Sequence, residues 1–232
     1  MTPMIRNTAA ALVLLAFASS AVAQQTALPP PPAAQPQAQP SAGPPAAMAT
    51  LQGADRDAAL AQASQALNGV TRLQGRFLQI SADGSRSGGA FFLQRPGKLR
   101  FEYDPPATML IVSDGNVVAM RDRALRTTDR TLLRATPLNL VLRQQVNLAH
   151  DAHITRVARG GDWIAISARD RTGQTEGEIT LQFQGQSLRS WDITDATGAR
   201  TRILLSGLSQ PASFDRRVFR LEDMLESRPG PH

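Results

Sequence analysis

Residues 88–114 read GGAFFLQRPGKLRFEYDPPATMLIVSD, and this stretch decides the fold class. Within it, residues 98–103 alternate strictly, so Leu99, Phe101 and Tyr103 lie on one face of a strand and charged side chains lie on the other. A strand of this kind buries one face and leaves the other in water. The stretch therefore predicts an antiparallel sheet with an apolar side that must be covered.

The stretch also contains the residues that predict the turns of this sheet. Arg95-Pro96-Gly97 precedes the alternating strand; proline fixes φ at the first central position and glycine accepts a positive φ at the second. Pro105 and Pro106 end the strand, because neither residue can donate to a β ladder. The apolar run from Met109 then closes on Asp114-Gly115, a hairpin signal. These signals predict three consecutive antiparallel strands.

Strand patterns recur at short intervals from residue 72 to residue 220, separated by tight turns. Residues 163–169 place Ile164 on one face, and residues 178–184 do the same for alternate apolar residues. Such an order favours an antiparallel meander over a parallel α/β fold. We predict a mainly β fold, an incomplete antiparallel barrel of about eleven strands, with the last strand at residues 214–220.

Two short helices are predicted among the strands. The first begins at Asp55 or Asp57 as N-cap and ends before Gly69, and its apolar stripe consists mainly of small residues. The second covers residues 138–143 and follows Pro137. Neither helix is large enough to form a second layer. We expect them to plug the concave face of the sheet and to leave an apolar pocket beneath a removable helical lid.

The N-terminal part of the chain is predicted to lie outside this fold. Residues 1–23 are typical of a cleavable signal peptide, with an uncleaved anchor as the alternative, so the mature protein is expected to leave the cytoplasm. Residues 24–54 are rich in Pro, Ala and Gln and predict a disordered tether, with a ligand for a proline-binding module as the alternative. Residues 55–225 would form the domain and residues 226–232 a tail.

The composition excludes several classes of site. The chain of 232 residues has no cysteine, which rules out disulfides, thiol catalysis and cysteine-based zinc sites. Its net charge of +6 is spread along the chain and is not clustered with stacking aromatics, so we expect no nucleic-acid binding.

No catalytic constellation is evident. The sequence lacks a Gly-x-Ser-x-Gly elbow, a phosphate-binding glycine loop and an HExxH motif. His150 and His153 form the only histidine cluster, and a surface turn is a better interpretation of it than a metal site. We predict a binding protein that is not an enzyme and needs no cofactor and no metal.

Arg95 is the polar residue that we single out. It stands at the rim of the apolar sheet, before the Pro-Gly turn, where its guanidinium could bond carbonyl groups at the end of a plugging helix. A solvated turn arginine is the alternative.

These motifs resemble those of the LolA family, the periplasmic carriers of outer-membrane lipoproteins. The resemblance covers residues 58–223. It is carried by Gly75-Arg76-Phe77-Leu78-Gln79, Arg95-Pro96, Leu110-Ile111-Val112-Ser113-Asp114-Gly115 and Thr136-Pro137. It implies a helical lid over a hydrophobic cavity that binds acyl chains, with Arg95 gating the lid. The expected cavity residues are Phe77, Phe91, Leu93, Leu99, Phe101, Tyr103, Met109, Ile111, Leu138, Leu142, Ile164, Ile179, Leu181 and Phe183.

The resemblance also implies partners and a compartment. We expect a periplasmic monomer that receives lipoprotein acyl chains from an inner-membrane ABC-type lipoprotein-releasing complex and delivers them to an outer-membrane acceptor. The chain departs from the family at Leu99, where an aromatic residue is common, and at the polar Asn139 and Arg143 of the second helix. These departures leave open a carrier or sensor of another periplasmic lipid, such as a glycolipid or a polyketide lipid.

Overall fold

The structure is a computed structural model that describes residues 47–171 and 176–220. These residues form one twelve-stranded antiparallel sheet. The strands are β1 Ala49–Thr50, β2 Arg72–Ile80, β3 Arg86–Gln94, β4 Lys98–Tyr103, β5 Met109–Asp114, β6 Val117–Asp122, β7 Thr127–Leu132, β8 Ala152–Gly160, β9 Trp163–Asp170, β10 Glu178–Gln184, β11 Ser187–Thr194 and β12 Arg200–Ser209.

The helices are few and are attached to this sheet. They are α1 Gly53–Asn68, α2 Leu138–Leu142 and α3 Leu148–Asp151, with short 3-10 turns at Leu133–Ala135 and Arg216–Phe219. Within the described ranges, no helix has both the length and the apolar character needed to cross a membrane.

The sheet is curled but not closed. Its spatial order is β1-β8-β9-β10-β11-β12-β2-β3-β4-β5-β6-β7, so β1 and β7 are edge strands that do not pair with each other. The central junction joins β12 to β2, which brings the C-terminal strands beside the N-terminal ones. The prediction of a mainly β, incomplete antiparallel barrel is confirmed.

The alternation of residues 98–103 has the predicted effect. Leu99, Phe101 and Tyr103 are buried, whereas the residues between them are only half-buried. The register pairs Phe101 with Phe91 of β3 and with Ile111 of β5, so these apolar side chains share the inner face. This face and the helices that cover it form the core.

The predicted last strand, at residues 214–220, is wrong. Its second half is a 3-10 turn, because the Asp215 carboxylate accepts a hydrogen bond from the Arg217 N–H at 2.8 Å and caps it. The Phe214 ring then packs against Phe219 and Phe92, with centroids 5.6 Å and 5.9 Å apart. This segment therefore covers the outer face of the sheet instead of extending it.

The start of the domain also differs from the prediction. Ala49 and Thr50 pair with β8, so residues 47–54 of the expected tether belong to the folded part. Helix α1 begins at Gly53 after Gln52, which makes no side-chain cap, so neither Asp55 nor Asp57 is the N-cap. The predicted signal peptide, the rest of the tether and the predicted tail at residues 226–232 lie outside the described residues.

Candidate functional site

The inner face of the sheet is centred on an aromatic cluster. The Phe101 ring lies 4.8 Å from Phe77, 6.0 Å from Phe91 and 6.0 Å from Trp191, measured between ring centroids. Phe77 also contacts Tyr103 edge-on at 4.9 Å. The rings come from four strands, so they join β2, β3, β4 and β11 in one apolar cluster.

Helix α1 covers this face with small side chains. Ala59, Ala63 and Ala66 are buried, together with Leu60 and Leu67. The helix packs against β8, β9 and β11. Alanine at these positions lets the helix backbone approach the sheet closely, so α1 belongs to the same buried core as the sheet.

An apolar void remains between α2 and the sheet. About 50 Å³ of it admits a water-sized sphere, which is room for a few water molecules, each needing roughly 10–15 Å³ by this measure. An acyl chain cannot fit. Among the described residues, this void is therefore smaller than the expected cavity, because α1 and the aromatic rings are packed into one core. The void is lined by Gln79, Phe101, Tyr103, Ile111, Val118, Met120, Pro137, Leu138, Trp191, Ile193 and Ile203.

The expected cavity residues divide between the void and the core around it. Those that line the void are Phe101, Tyr103, Ile111 and Leu138. Those buried in the surrounding core are Phe77, Phe91, Leu93, Leu99, Leu142, Ile164, Ile179, Leu181 and Phe183. Met109 is partly buried and packs against the same core. All of them belong to one continuous apolar cluster, and their assignment to ligand binding stays a prediction.

Several wall residues were missed by the sequence analysis. Trp191, Ile193 and Ile203 follow the period of two on β11 and β12, and Val118 and Met120 follow it on β6, so the signal was present in the sequence. Gln79 lies two residues after Phe77 and therefore on the same face of β2. A polar residue on an apolar face was the signal that could have singled it out.

Arg95 lies where the sequence analysis placed it, at the rim, but it is buried. Its Nη1 donates a hydrogen bond to the Leu67 carbonyl in the last turn of α1. No ion pair of the described residues includes Arg95, and its buried Nε makes no hydrogen bond there. Burial lowers the pKa of Arg95 to about 10, so the guanidinium stays charged at neutral pH.

We call the hydrogen bond from Arg95 to the Leu67 carbonyl the latch, and the burial of Arg95 weakens it. The carbonyl end of a helix carries a partial negative charge, which favours a cation there. A buried charge without a counter-ion nevertheless costs free energy that one hydrogen bond offsets only in part. Opening α1 would return the guanidinium to water, so the latch holds the helix without making its release prohibitive.

The same turn holds the second helix. The Gly97 N–H donates to the Leu142 carbonyl at the end of α2 at 2.8 Å. The Gly97 carbonyl accepts from Ser113 Oγ at 2.7 Å, and a Cβ at Gly97 would lie 2.5 Å from Gly115 Cα. The Arg95-Pro96-Gly97 turn therefore contacts the C-terminal ends of both covering helices and is packed too tightly to accept a side chain.

Helix α1 is joined to the segment that follows α2. The Asn68 amide donates to the Val146 carbonyl at 2.9 Å and accepts from the Val146 N–H at 2.8 Å. Ser64 Oγ accepts from the Leu148 N–H at 3.0 Å. These bonds tie α1 to the start of α3, so we define the lid as residues 53–68 together with residues 138–151.

One polar pair faces the void. Tyr103 Oη donates to Gln79 Oε1 at 2.5 Å, and each residue is 8% exposed. Burial raises the pKa of Tyr103, so its hydroxyl remains a donor at physiological pH. Gln79 Nε2 donates to Ser81 Oγ at 3.3 Å.

The histidine cluster lies away from this void. His150 is in α3 and His153 is in β8, and His150 Nδ1 is 3.1 Å from the Asp151 carboxylate. The described residues contain no group of three or more side chains suited to hold a metal ion.

Comparison with known proteins identifies a family. Residues 68–222 match the family described as "Outer membrane lipoprotein carrier protein LolA". An outer-membrane lipoprotein carrier protein of Azotobacter vinelandii is 30% identical over 165 residues, which cover 67% of this chain and 80% of that protein. Its counterpart from Methylococcus capsulatus is 29% identical over 163 residues, or 66% of this chain and 78% of that protein.

Solved structures resemble the fold more distantly. A putative outer membrane lipoprotein-sorting protein domain from Vibrio parahaemolyticus is 9% identical and aligns with a TM-score of 0.47 over 74% of this chain and 99% of that chain. A LolA superfamily protein from Nitrosomonas europaea is 10% identical, with a TM-score of 0.44 over 72% and 98% of the two chains.

Proposed function

Since this chain belongs to the LolA family of outer membrane lipoprotein carrier proteins, we propose that it binds the acyl chains of lipoproteins beneath its lid and carries them across the periplasm. The observation that carries the proposal is the covered inner face, a continuous apolar surface closed by a helix whose last turn accepts a hydrogen bond from Arg95 at the rim.

Acyl chains supply the free energy for opening. Each buried CH₂ group is worth roughly 0.8 kcal/mol, so one long chain gains on the order of 10 kcal/mol on leaving water. The lid residues that the chain displaces are Leu60 and Leu67 with the small alanines. We propose that an anchor with two or three such chains gains more free energy on the sheet than these side chains lose.

The closed lid keeps the affinity moderate. Displacing α1 breaks the Arg95 bond to the Leu67 carbonyl and exposes the small apolar face of the helix. The free energy spent on opening is subtracted from the binding free energy, and it is regained when the lid closes behind a departing ligand. A carrier needs this balance, since it must hold its cargo in water and still release it.

The partners follow from the cargo. A lipoprotein leaves a membrane only if its transfer is driven, so we propose an inner-membrane ABC-type complex as the donor and an outer-membrane protein as the acceptor. We propose further that residues 1–23 are a cleavable signal peptide that sends the protein to the periplasm, and that carriage involves no covalent chemistry.

The test compares one peptide with and without its acyl chains. Trp191 lines the void, and Trp163 is the only other tryptophan, so a Trp163→Phe variant reports on the site alone. We expect a triacylated lipopeptide to change and saturate Trp191 fluorescence, and the unacylated peptide to leave it unchanged. Equal responses to both peptides would contradict the proposal.

A second measurement identifies the natural cargo. Native mass spectrometry of the protein isolated from periplasm should show a bound lipoprotein. A bound glycolipid or other free lipid in its place would keep the lid mechanism and replace the cargo.

A further inference from the structure

Apart from the indole of Trp191, the side chains with polar atoms in the wall of the void are Tyr103 and Gln79, which meet there. The other nine lining residues are Phe101, Ile111, Val118, Met120, Pro137, Leu138, Trp191, Ile193 and Ile203. A polar pair in such a wall costs free energy unless its groups are hydrogen-bonded, and the two side chains satisfy each other at 2.5 Å in the closed form. An aliphatic pair of similar volume would close the void without this cost.

The pair lies at one rim of the sheet. Tyr103 is the last residue of β4, and Gln79 is the last but one of β2. Gln79 Nε2 donates a hydrogen bond of 3.3 Å to Oγ of the half-buried Ser81. Polar groups therefore lead from the void to the rim. Arg95 follows the opposite end of β3, so the latch and the polar pair are at opposite ends of the strands.

The pair also has unused donor capacity. Gln79 Nε2 carries two hydrogens and makes one long hydrogen bond, so its second N–H has no partner within the described part of the chain. The Tyr103 hydroxyl donates to Gln79 and can turn to another acceptor, because a hydroxyl hydrogen rotates. Both groups therefore offer hydrogen bonds to an acceptor that comes into the void.

An acylated cysteine brings such acceptors with it. Its fatty chains are joined through ester and amide carbonyl groups, which lose their hydrogen bonds to water when the chains move into an apolar cavity. A carbonyl placed at the rim end of the cavity would recover one from Tyr103 or Gln79. The hydrocarbon beyond it would lie along the aromatic cluster of Phe77 and Phe101.

We propose that Tyr103 and Gln79 form a subsite for the ester and amide carbonyl groups that link acyl chains to the cargo. This subsite rests on the proposed carrier function and adds to it a preference for the linkage, beyond the preference for hydrocarbon. The two side chains hold each other in the empty protein and turn to the ligand when the lid opens. They also set the depth to which a chain can enter, since the linkage stops at the rim.

The experiment varies only the linkage. The probes are a diacylglyceryl-cysteine peptide with two ester-linked palmitoyl chains and its analogue with ether-linked hexadecyl chains, which lacks those carbonyls. Binding is measured by Trp191 fluorescence in the full chain that carries Trp163→Phe. One net hydrogen bond corresponds to about a 3- to 10-fold preference, and we expect the parent to favour the ester by this factor.

The variants separate recognition from packing. Tyr103→Phe keeps the ring, and Gln79→Met keeps the approximate volume; each removes one donor group and should reduce the preference for the ester peptide. The control is Ile203→Val, at a wall residue without polar atoms. It should weaken both peptides alike and keep the preference. The Gln79 variant also secures the test if Tyr103→Phe fails to fold.

The outcomes are distinct. A parent that binds ester and ether peptides equally, or a Tyr103→Phe and a Gln79→Met variant that both keep the preference, overturns the subsite and leaves the carrier function standing. A parent that binds neither peptide overturns the carrier function and the subsite with it.

Discussion

Replacing Ala63 by leucine should make this protein bind acyl chains more tightly. Ala63 is 1% exposed and lies on the side of α1 that faces the sheet. Three additional carbons at this position have no room in the closed form. In the open form the same side chain is in solvent and costs little.

The magnitude follows from overpacking. Enlarging a side chain in a well-packed core typically costs about 1–3 kcal/mol. If the open form is the one that binds, a closed form destabilised by this amount raises the apparent affinity by about 5- to 150-fold, until the open form predominates. This substitution should increase the affinity for the ligand, whereas most core substitutions weaken function.

The assay is a titration of Trp191 fluorescence with a triacylated lipopeptide in the Trp163→Phe background. Ala61→Leu is the matched control, because Ala61 is on the same helix and is exposed. Amide hydrogen exchange should be faster along α1 in Ala63→Leu and unchanged in the control. If the two leucine variants bind the lipopeptide equally, α1 does not gate the cavity and the lid mechanism is refuted.

Three further predictions concern the rim and the lid. Arg95→Leu removes the latch and should slow the transfer of a bound lipopeptide to vesicles. The slowing should be about tenfold at most, because the free-energy cost of burying the guanidinium already offsets part of the hydrogen bond that is lost. A parent-like transfer rate would contradict the latch. Gly97→Ala should lower the unfolding midpoint in urea more than Gly84→Ala. Both glycines have positive φ, which costs alanine about 1–2 kcal/mol, but only Gly97 has neighbours within 4 Å of a Cβ; equal effects would contradict the tight packing of the turn. Asp151→Asn should destabilise the protein at pH 7 and have little effect once the parent carboxylate is protonated, as compared by urea unfolding at pH 7 and in strong acid.

The pH dependence of the Asp151 prediction follows from the sign of its shift. Burial opposes ionisation of this carboxyl, but hydrogen bonds from Asn147 and His150 and the charge of Arg143 outweigh it and hold its pKa below the usual 3.8. Its stabilising effect is therefore complete above pH 3.8 and is lost as the pH falls through the lower value of the folded state. A difference between parent and variant that is as large in acid as at pH 7 would show that the carboxylate charge is not responsible.

Much of the sheet could be predicted because its strands carry local signals. The alternation at Leu99, Phe101 and Tyr103 and the Pro-Gly turn before it depend only on neighbouring residues, and the register keeps them as expected. The prediction of a strand at residues 214–220 was wrong because it used local signals alone. Its apolar residues read as a strand, but Asp215 caps a 3-10 turn whose rings contact Phe92, far away in the sequence.

The candidate site, too, could be predicted from the sequence only in part. Arg95 was singled out because of its position before a turn at the sheet rim, and the structure places its guanidinium on a helix carbonyl. The hydrogen bond between Gly97 and the end of α2 joins residues about 45 positions apart. The hydrogen bonds between Asn68 and Val146 join residues 78 positions apart. No local pattern encodes such a contact.

By itself, then, the sequence determined most strands of the sheet, the side of those strands that is apolar, and the family. Periodicity and turn chemistry act between residues close together in the chain, and these are visible without coordinates. Only the tertiary structure decided that the inner face is closed, that Tyr103 meets Gln79 at the rim, and that one turn holds both covering helices. Those features depend on how tightly distant elements pack, and packing density is a property of the folded chain as a whole.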